Sequence, residues 1–234
     1  SADGCEGDDF TIIITVNPTA SMNDYSDLVV CNDELTTIDF TTSNTGGTTT
    51  YVWSNTGGVD IGLGSSGETV TDSSSDISFT ASNSSSVAIS TQITVTPTFT
   101  NNGVSCTGTS QTFTITVNPE PDINNVTETI CNEGTFTTVL PSDGTNGDVV
   151  PTGTTYTWGN PLSSPSGVVT GGQSGTSQTS IVGTQLFNGT SSPATLTYTV
   201  TPTSADGCEG DDFTIIITVN PEPDINNVTE TICN

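Results

Sequence analysis

The chain opens with SADGCEGDDFTIIITVNP at 1–18, and the same letters return unchanged at 204–221. A second block, ITVNPEPDINNVTETICN, stands at 115–132 and again at 217–234. Asn-Pro steps fall at 17–18, 118–119 and 220–221, TYVW at 50–53 answers TYTW at 155–158, and TVTP recurs at 94–97 and 199–202. A fixed period of about 100 residues means stacked copies of one structural unit rather than a single large fold. The expected organisation is the closing strand of one repeat at 1–18, whole repeats at 19–119 and 120–221, and the opening strand of a further repeat at 222–234. On this reading the chain is a stretch of a longer tandem array.

Charge removes several classes of function. The sequence holds no Lys, Arg or His against 26 Asp and Glu, a formal charge of −26. Without cations it cannot neutralise phosphates, so nucleic acid is excluded as a direct partner. An anionic membrane surface is excluded by the same sign argument. No apolar run approaches membrane-spanning length, so direct insertion is not expected either.

The apolar pattern is that of strands. In DDFTIIITVNP, Phe213, Ile215, Ile217 and Val219 share one face and Thr214, Ile216 and Thr218 the other. TLTYTVTP sets Leu196, Tyr198 and Val200 against threonines. Alternation of this kind marks half-buried strands, and the Gly-, Asn- and Ser-rich clusters between them mark turns. In the second repeat the strands are expected near 124–131, 135–140, 154–159, 166–170, within 178–187, and at 194–201 and 212–219. Seven short strands in roughly 100 residues fit an immunoglobulin-like sandwich. The expected fold class is therefore all-β, with tandem sandwiches arranged end to end. Trp53 with Tyr51, and Trp158 with Tyr156, occupy the same strand position in the two repeats and are read as core residues rather than a sugar-stacking platform.

TYTWGN, TLTYTVTPTSADGCEGDDFTIIITVNPEPDI and TICNEG together resemble the PKD-like and Ig-like repeats of giant surface adhesins of Bacteroidota, the SprB-type gliding-motility adhesins among them. The Cys-x-Gly step at 106–108 and 208–210 and the TVNPEP linker are the most specific elements, although the linker is replaced by TASMND at 19–24. The resemblance implies an extracellular, cell-surface-attached protein exported by the type IX system. It implies a structural or adhesive array more firmly than any one ligand.

Exported chains with regularly spaced cysteines are read as disulfide-bonded. Cys5, Cys106 and Cys208 lie before the last strand of a repeat, and Cys31, Cys131 and Cys233 at the end of the first strand. In an Ig-like domain these positions sit at opposite ends, roughly 25 Å apart for eight-residue strands. A disulfide needs Cα atoms within about 7 Å. The favoured pairing is an inter-repeat staple, Cys31–Cys208, with the others pairing elsewhere or remaining free. Two alternatives stay open at this level. One is pairing within repeats (Cys31–Cys106 and Cys131–Cys208). The other is pairing of sequence neighbours (Cys5–Cys31, Cys106–Cys131 and Cys208–Cys233).

ADGCEGDD gathers Asp206, Glu209, Asp211 and Asp212 in one loop, with Asp3, Glu6, Asp8 and Asp9 in its copy. Glu120 and Asp122 in the linker, with Asp33 and Glu34, are expected at the same junction. Hard calcium ions take six to eight oxygen ligands from loops of this kind, so Asp206, Glu209, Asp211, Asp212, Glu120 and Asp122 are candidate calcium ligands. A solvated acidic loop is an equal alternative, because no EF-hand spacing is present and the first repeat's GVSCTGTSQ has no carboxylate. The sequons at Asn83, Asn125, Asn188 and Asn227 are expected by chance in so Asn- and Thr-rich a chain. With no His, no Lys, no nucleophile motif and no phosphate-binding loop, an enzyme is not expected.

Two functions remain, from different classes. In the first, the repeats are a shaft that projects an adhesive tip, partnered by neighbouring repeats, by other copies in a fibre, and by a surface or polysaccharide through the tip. In the second, each repeat binds carbohydrate and the array works by avidity. Proline-bearing linkers favour semi-rigid connections and few aromatics are available to face a ligand, so the shaft is preferred.

Overall fold

Alternating apolar and hydroxyl-bearing residues become paired strands at intervals along the chain. The computed structural model describes residue 4 and residues 8–70, 77–223 and 230–232. Among the described residues every regular element is a strand. In the first repeat these are β1 (Leu28–Cys31), β2 (Leu35–Ile38), β3 (Thr48–Asn55), β4 (Ser66–Val70), β5 (Ile77–Thr80), β6 (Ile89–Asn101), β7 (Val104–Thr107) and β8 (Gln111–Asn118). The second repeat supplies β9 (Val126–Cys131), β10 (Thr155–Trp158), β11 (Leu162–Ser164), β12 (Val169–Thr170), β13 (Gly175–Gln178), β14 (Phe187–Asn188), β15 (Ala194–Thr203) and β16 (Phe213–Asn220).

The two main sheets share one topology. The first runs β1-β8-β6-β3-β4 with β7 against β6, and the second runs β13-β10-β15-β16-β9 with β11 against β15. Small two-stranded sheets, β2-β5 and β12-β14, accompany them. The all-β, tandem Ig-like architecture expected from the sequence is present. By internal packing the chain forms two units. The first comprises the chain to Leu28 with Leu35–Phe79 and Thr91–Ile115. The second takes Val29–Glu34, Thr80–Ser90 and everything from Thr116 onward. Three segments written in the first repeat therefore belong to the second unit.

In the second unit β15 and β16 are antiparallel, with Leu196 opposite Ile217, Tyr198 opposite Ile215 and Val200 opposite Phe213. All six of these side chains are buried, because the two-residue period sends one face of each strand inward. β16 is paired on its other edge in parallel with β9, Ile217 facing Glu128 and Asn220 facing Cys131. Tyr156 meets Phe213 edge-on at 6.2 Å between ring centroids, and Phe136 packs on Tyr198 at 5.5 Å. Trp158 is 9 % exposed, and its indole Nε1 donates to the Gln173 carbonyl at 2.8 Å. Gly175 lies against this ring so closely that a Cβ there would collide with it, and Gly67 meets Trp53 in the same way. In the first unit Tyr51 is fully buried and packs on Phe40 at 5.3 Å.

Strand pairing is weaker where the sequence suggested strands at 135–140 and 178–187. Between these two stretches only isolated bridges form, Thr135 with Gln185 and Val139 with Ile181. Gly183 is the physical reason. It brings its backbone so near the Phe136 carbonyl that a Cβ would overlap it, which breaks a regular ladder.

Residues 8–18 carry the same letters as 211–221 yet contain no strand, and Phe10, Ile12, Ile13, Ile14 and Val16 are each at least 71 % exposed. Their twins in β16 lie between β15 and β9. The expected strand at 222–234 falls largely outside the described residues.

Asn83 and Asn188 are buried latches. The Asn188 amide donates to the carbonyls of Ser192 and Val219, each at 2.8 Å, and its backbone N–H donates to Asn132 Oδ1 at 2.7 Å. Asn83 repeats the pattern with Val87, Val117 and Asn32. Both therefore use the nitrogen that a glycan would need. Asn125 is exposed, its side-chain oxygen accepting from the Thr214 N–H at 2.6 Å, and Asn227 lies outside the described residues.

Phe213→Ala is expected to lower the unfolding free energy of the second unit by about 3–5 kcal/mol, since it removes a buried aromatic ring. Asn188→Ala is expected to cost about 1–3 kcal/mol by leaving buried carbonyls unpaired. Urea denaturation followed by tryptophan fluorescence measures both, and intact mass is expected to show no glycan on Asn188.

Candidate functional site

Glycine and serine shape the loop between β15 and β16. Gly207 takes the left-handed conformation at φ 88°, which glycine adopts without a steric cost. Its N–H donates to the Ser204 carbonyl at 3.0 Å, the Ser204 N–H donates to the Cys208 carbonyl at 2.8 Å, and the Gly210 N–H donates to the Pro202 carbonyl at 3.0 Å. The Cys208 N–H is held by Ser204 Oγ at 3.1 Å. Gly210 lies flat against the Pro121 carbonyl, leaving no room for a side chain. These contacts fix Cys208 in a site where it is 1 % exposed.

Cys31 is presented by the end of β1. The chain turns at once through Asp33, whose φ is 57°. The Cys31 N–H donates to the Glu34 carboxylate at 3.0 Å. The Asn32 N–H donates to the Asn118 carbonyl at 2.9 Å, and the Asp33 N–H to the Ala81 carbonyl at 2.9 Å. Cys31 and Cys208 are joined by a disulfide with Cα atoms 5.6 Å apart and a sequence separation of 177. Both cysteines belong to the second unit. With their sulfurs committed, neither is available to Cys106, Cys131, Cys5 or Cys233.

Cys106 is half-buried and Cys131 exposed, both as free thiols, and Cys5 and Cys233 lie outside the described residues. Cys131 nevertheless repeats the setting of Cys31. The Asn132 N–H donates to the Asn220 carbonyl at 2.8 Å and the Glu133 N–H to Leu186 at 2.9 Å, with Glu133 at φ 61°. Cys106 likewise repeats that of Cys208. The Gly108 N–H donates to Pro97 at 2.9 Å, as that of Gly210 does to Pro202, and Gly108 is pressed against the Ala20 carbonyl.

The carboxylates named as calcium ligands do not converge as one set. A concavity of about 260 Å³ is lined by Asn32, Asp33, Glu120, Pro121, Asp122 and Asp211. Asp206 and Glu209 are exposed on the turn, and Asp212 accepts the hydroxyl of Thr201. Asp122 pairs through its backbone with Val149 at 2.9 and 2.8 Å. Among the described residues no group of three or more acidic or thiol side chains is close enough to hold a metal ion. Loss of water contact raises the pKa of Glu120 above the ordinary Glu value, and the Asp33 carboxylate raises it further. The Asn32 amide pulls it down, and Asp211 and Glu34 add to the rise.

Trp53, Tyr51, Trp158 and Tyr156 are core residues in the structure, at most 9 % exposed. Of the four, Trp158 also borders a cavity of about 270 Å³, which Gln173, Gln178, Thr184 and Tyr198 line with it. Register against Trp158 and Trp53 puts Val200 opposite Val95 in the alignment of the repeats, so Ile93 stands where the second repeat has Tyr198. The first repeat therefore lacks that hydroxyl. Sequence reasoning took Asn83 and Asn188 for chance sequons. Their equivalent placement in the two repeats was the available signal for the latch they form with Asn32 and Asn132.

The PKD-like domain family matches residues 28–121 and 128–223. The chain belongs to that family. No curated protein matches it at a significant level. Among solved structures it is similar to a Bacteroides ovatus protein of a mixed-linkage glucan utilization locus, SGBP-B, in complex with a mixed-linkage heptasaccharide. Identity there is 16 % and the TM-score 0.28, over 92 % of this chain and 48 % of that one. It thus spans about half of that protein. It is also similar to the human desmocollin-1 ectodomain, at 11 % identity and a TM-score of 0.40 over 88 % of this chain and 42 % of that one. Fibronectin(III)-like modules of Clostridium thermocellum CbhA give 10 % identity and a TM-score of 0.29, over 90 % of this chain and 100 % of theirs. Among the described residues no helix is long and apolar enough to cross a membrane.

Closing a loop this long restricts the unfolded chain strongly. Reduction, or Cys208→Ser, is expected to lower the stability of the second unit by up to about 5 kcal/mol, read as a lower urea midpoint without dithiothreitol for the variant and with it for the parent chain. Glu120 gives a pH signature. The fold favours its protonated form, so the stabilisation is complete below the ordinary Glu range and is lost as the pH rises through the raised pKa. Glu120→Gln is expected to raise the melting temperature at pH 7, with the gain shrinking to nothing below about pH 4, as measured by calorimetry at a series of pH values.

Proposed function

We propose that these PKD-like repeats form the shaft of a long extracellular adhesin or filament, attached at the cell surface and holding an adhesive tip away from it. The observation that carries the reading is the Cys31–Cys208 bond, which ties the end of the first strand of one repeat to the loop before the last strand of the next. A binding module acting alone has no use for such a tie. A load-carrying array of like units does. The disulfide also suits an oxidising, extracellular setting. In the finer form of the proposal the adhesin is of the SprB type, exported by the type IX system and acting in gliding. The matching settings of Cys131 and Cys106 support the same bond at every joint, each first-strand cysteine linked to the loop cysteine one repeat on.

The second reading makes the repeats themselves carbohydrate-binding. The cavity beside Trp158 favours it, but the first repeat replaces Tyr198 with Ile93, which removes the repetition that avidity needs.

Electron microscopy of the intact surface assembly is expected to show beads at a one-repeat spacing along a strand. The purified chain is expected to give no tight binding on a glycan array that includes mixed-linkage glucans. Tight, saturable glycan binding would replace the shaft with the avidity reading.

A further inference from the structure

We propose that the Cys31–Cys208 bond is a tension-bearing clamp that removes most of the chain from the line of force. The inference depends on the shaft reading for its biological use, but not for its test. The bond spans 177 of the 234 residues. Every strand from β2 to β15 lies inside the covalent loop, and among the described residues only the strands β1 and β16 lie outside it. Tension applied at the two ends therefore runs down to Cys31, crosses the sulfurs, and leaves along the chain after Cys208. That exit is β16, a strand already extended and hydrogen-bonded on both edges, to β15 and to β9.

An extended strand has almost no further length to give. The ladders that join the enclosed strands to one another then bear no load, which falls only on the pairings of β1 with β8 and of β16 with β15 and β9. The enclosed ladders are bypassed by a covalent bond that does not share their dependence on packing, salt or temperature. The Cys131 and Cys106 settings show how this scales. With the same bond at each joint, the shortest covalent path from one repeat into the next is the 25-residue stretch from Cys106 to Cys131. Most of that stretch is β8 and β9, again extended strand. An array wired in this way holds its length even while its individual sandwiches are perturbed.

The test is single-molecule pulling of the full chain from its two termini, with and without reductant. Under non-reducing conditions about 57 residues are free to extend, giving a final contour of about 200 Å at about 3.6 Å per residue. With dithiothreitol the whole chain extends to about 800 Å, a fourfold change, released as unfolding steps absent from the oxidised trace. Cys31→Ser with Cys208→Ser is expected to behave as the reduced chain in both conditions. Should that double variant fold poorly, the comparison of the parent chain before and after reductant stands by itself. Equal final lengths in the two conditions, or unfolding steps of the enclosed strands without reductant, would overturn the clamp. Glycan binding in the preceding experiment would overturn the shaft and leave the clamp untouched.

Discussion

A chain with 26 carboxylates and no Lys, Arg or His has to satisfy every anion without an ion pair. Several are met by backbone N–H groups, hydroxyls and amides, and others face solvent. Asp27 accepts from the Thr114 N–H at 2.7 Å, and Glu128 accepts from both the N–H and the hydroxyl of Thr137, at 2.9 and 3.0 Å. Asp143, held below the ordinary Asp range by the Val150 N–H and then by Ser86, closes one loop. Asp148, itself 7 % exposed, receives the Asn124 N–H at 3.0 Å. Each carboxylate of this kind accepts from a backbone donor, inside β8 at Thr114 and in loops at Asn124, Thr137 and Val150. Such charge-assisted bonds tie loops and strands together without any cation.

The same letters behave differently according to what lies beside them. DDFTIIITVNP is an extended, doubly paired strand at β16 and an unpaired, exposed segment at 8–18. Alternation specifies which side chains will share a face. It does not supply the neighbouring strands whose hydrogen bonds make the face real. β-Propensity is a statement about fit to a pleated, half-buried surface, so β16 needs β15 and β9 as well as its own alternation.

That dependence on neighbours also explains what could be read in advance. The inward faces of β15 and β16, the buried Trp and Tyr pairs and the all-β sandwich follow from local periodicity, which depends only on residues a few positions apart. The bridges at Thr135 and Val139 and the Asn32–Asn83 and Asn132–Asn188 latches depend on contacts 42 to 56 residues away, and no local pattern encodes them. Gly183 was visible as a glycine, but its role comes from the Phe136 backbone pressed against it. The acidic loop was legible as a cluster, but not the direction of its side chains, Asp212 accepting from Thr201 and Asp206 being exposed.

The cation-free composition and the disulfide are linked by one argument. Where Asp33, Glu120, Asp122 and Asp211 face one concavity, electrostatics can only repel, and that repulsion grows as salt is diluted and screening weakens. Packing opposes it weakly, since the concavity is lined by acidic and amide groups and a single proline. Hydrogen bonds such as that from Asn32 to Asn118 compete with water. A covalent bond is indifferent to all three conditions. Cys31–Cys208 sits within two residues of Asp33 on one side and three of Asp211 on the other. It therefore holds the junction where the other forces available to this sequence are weakest.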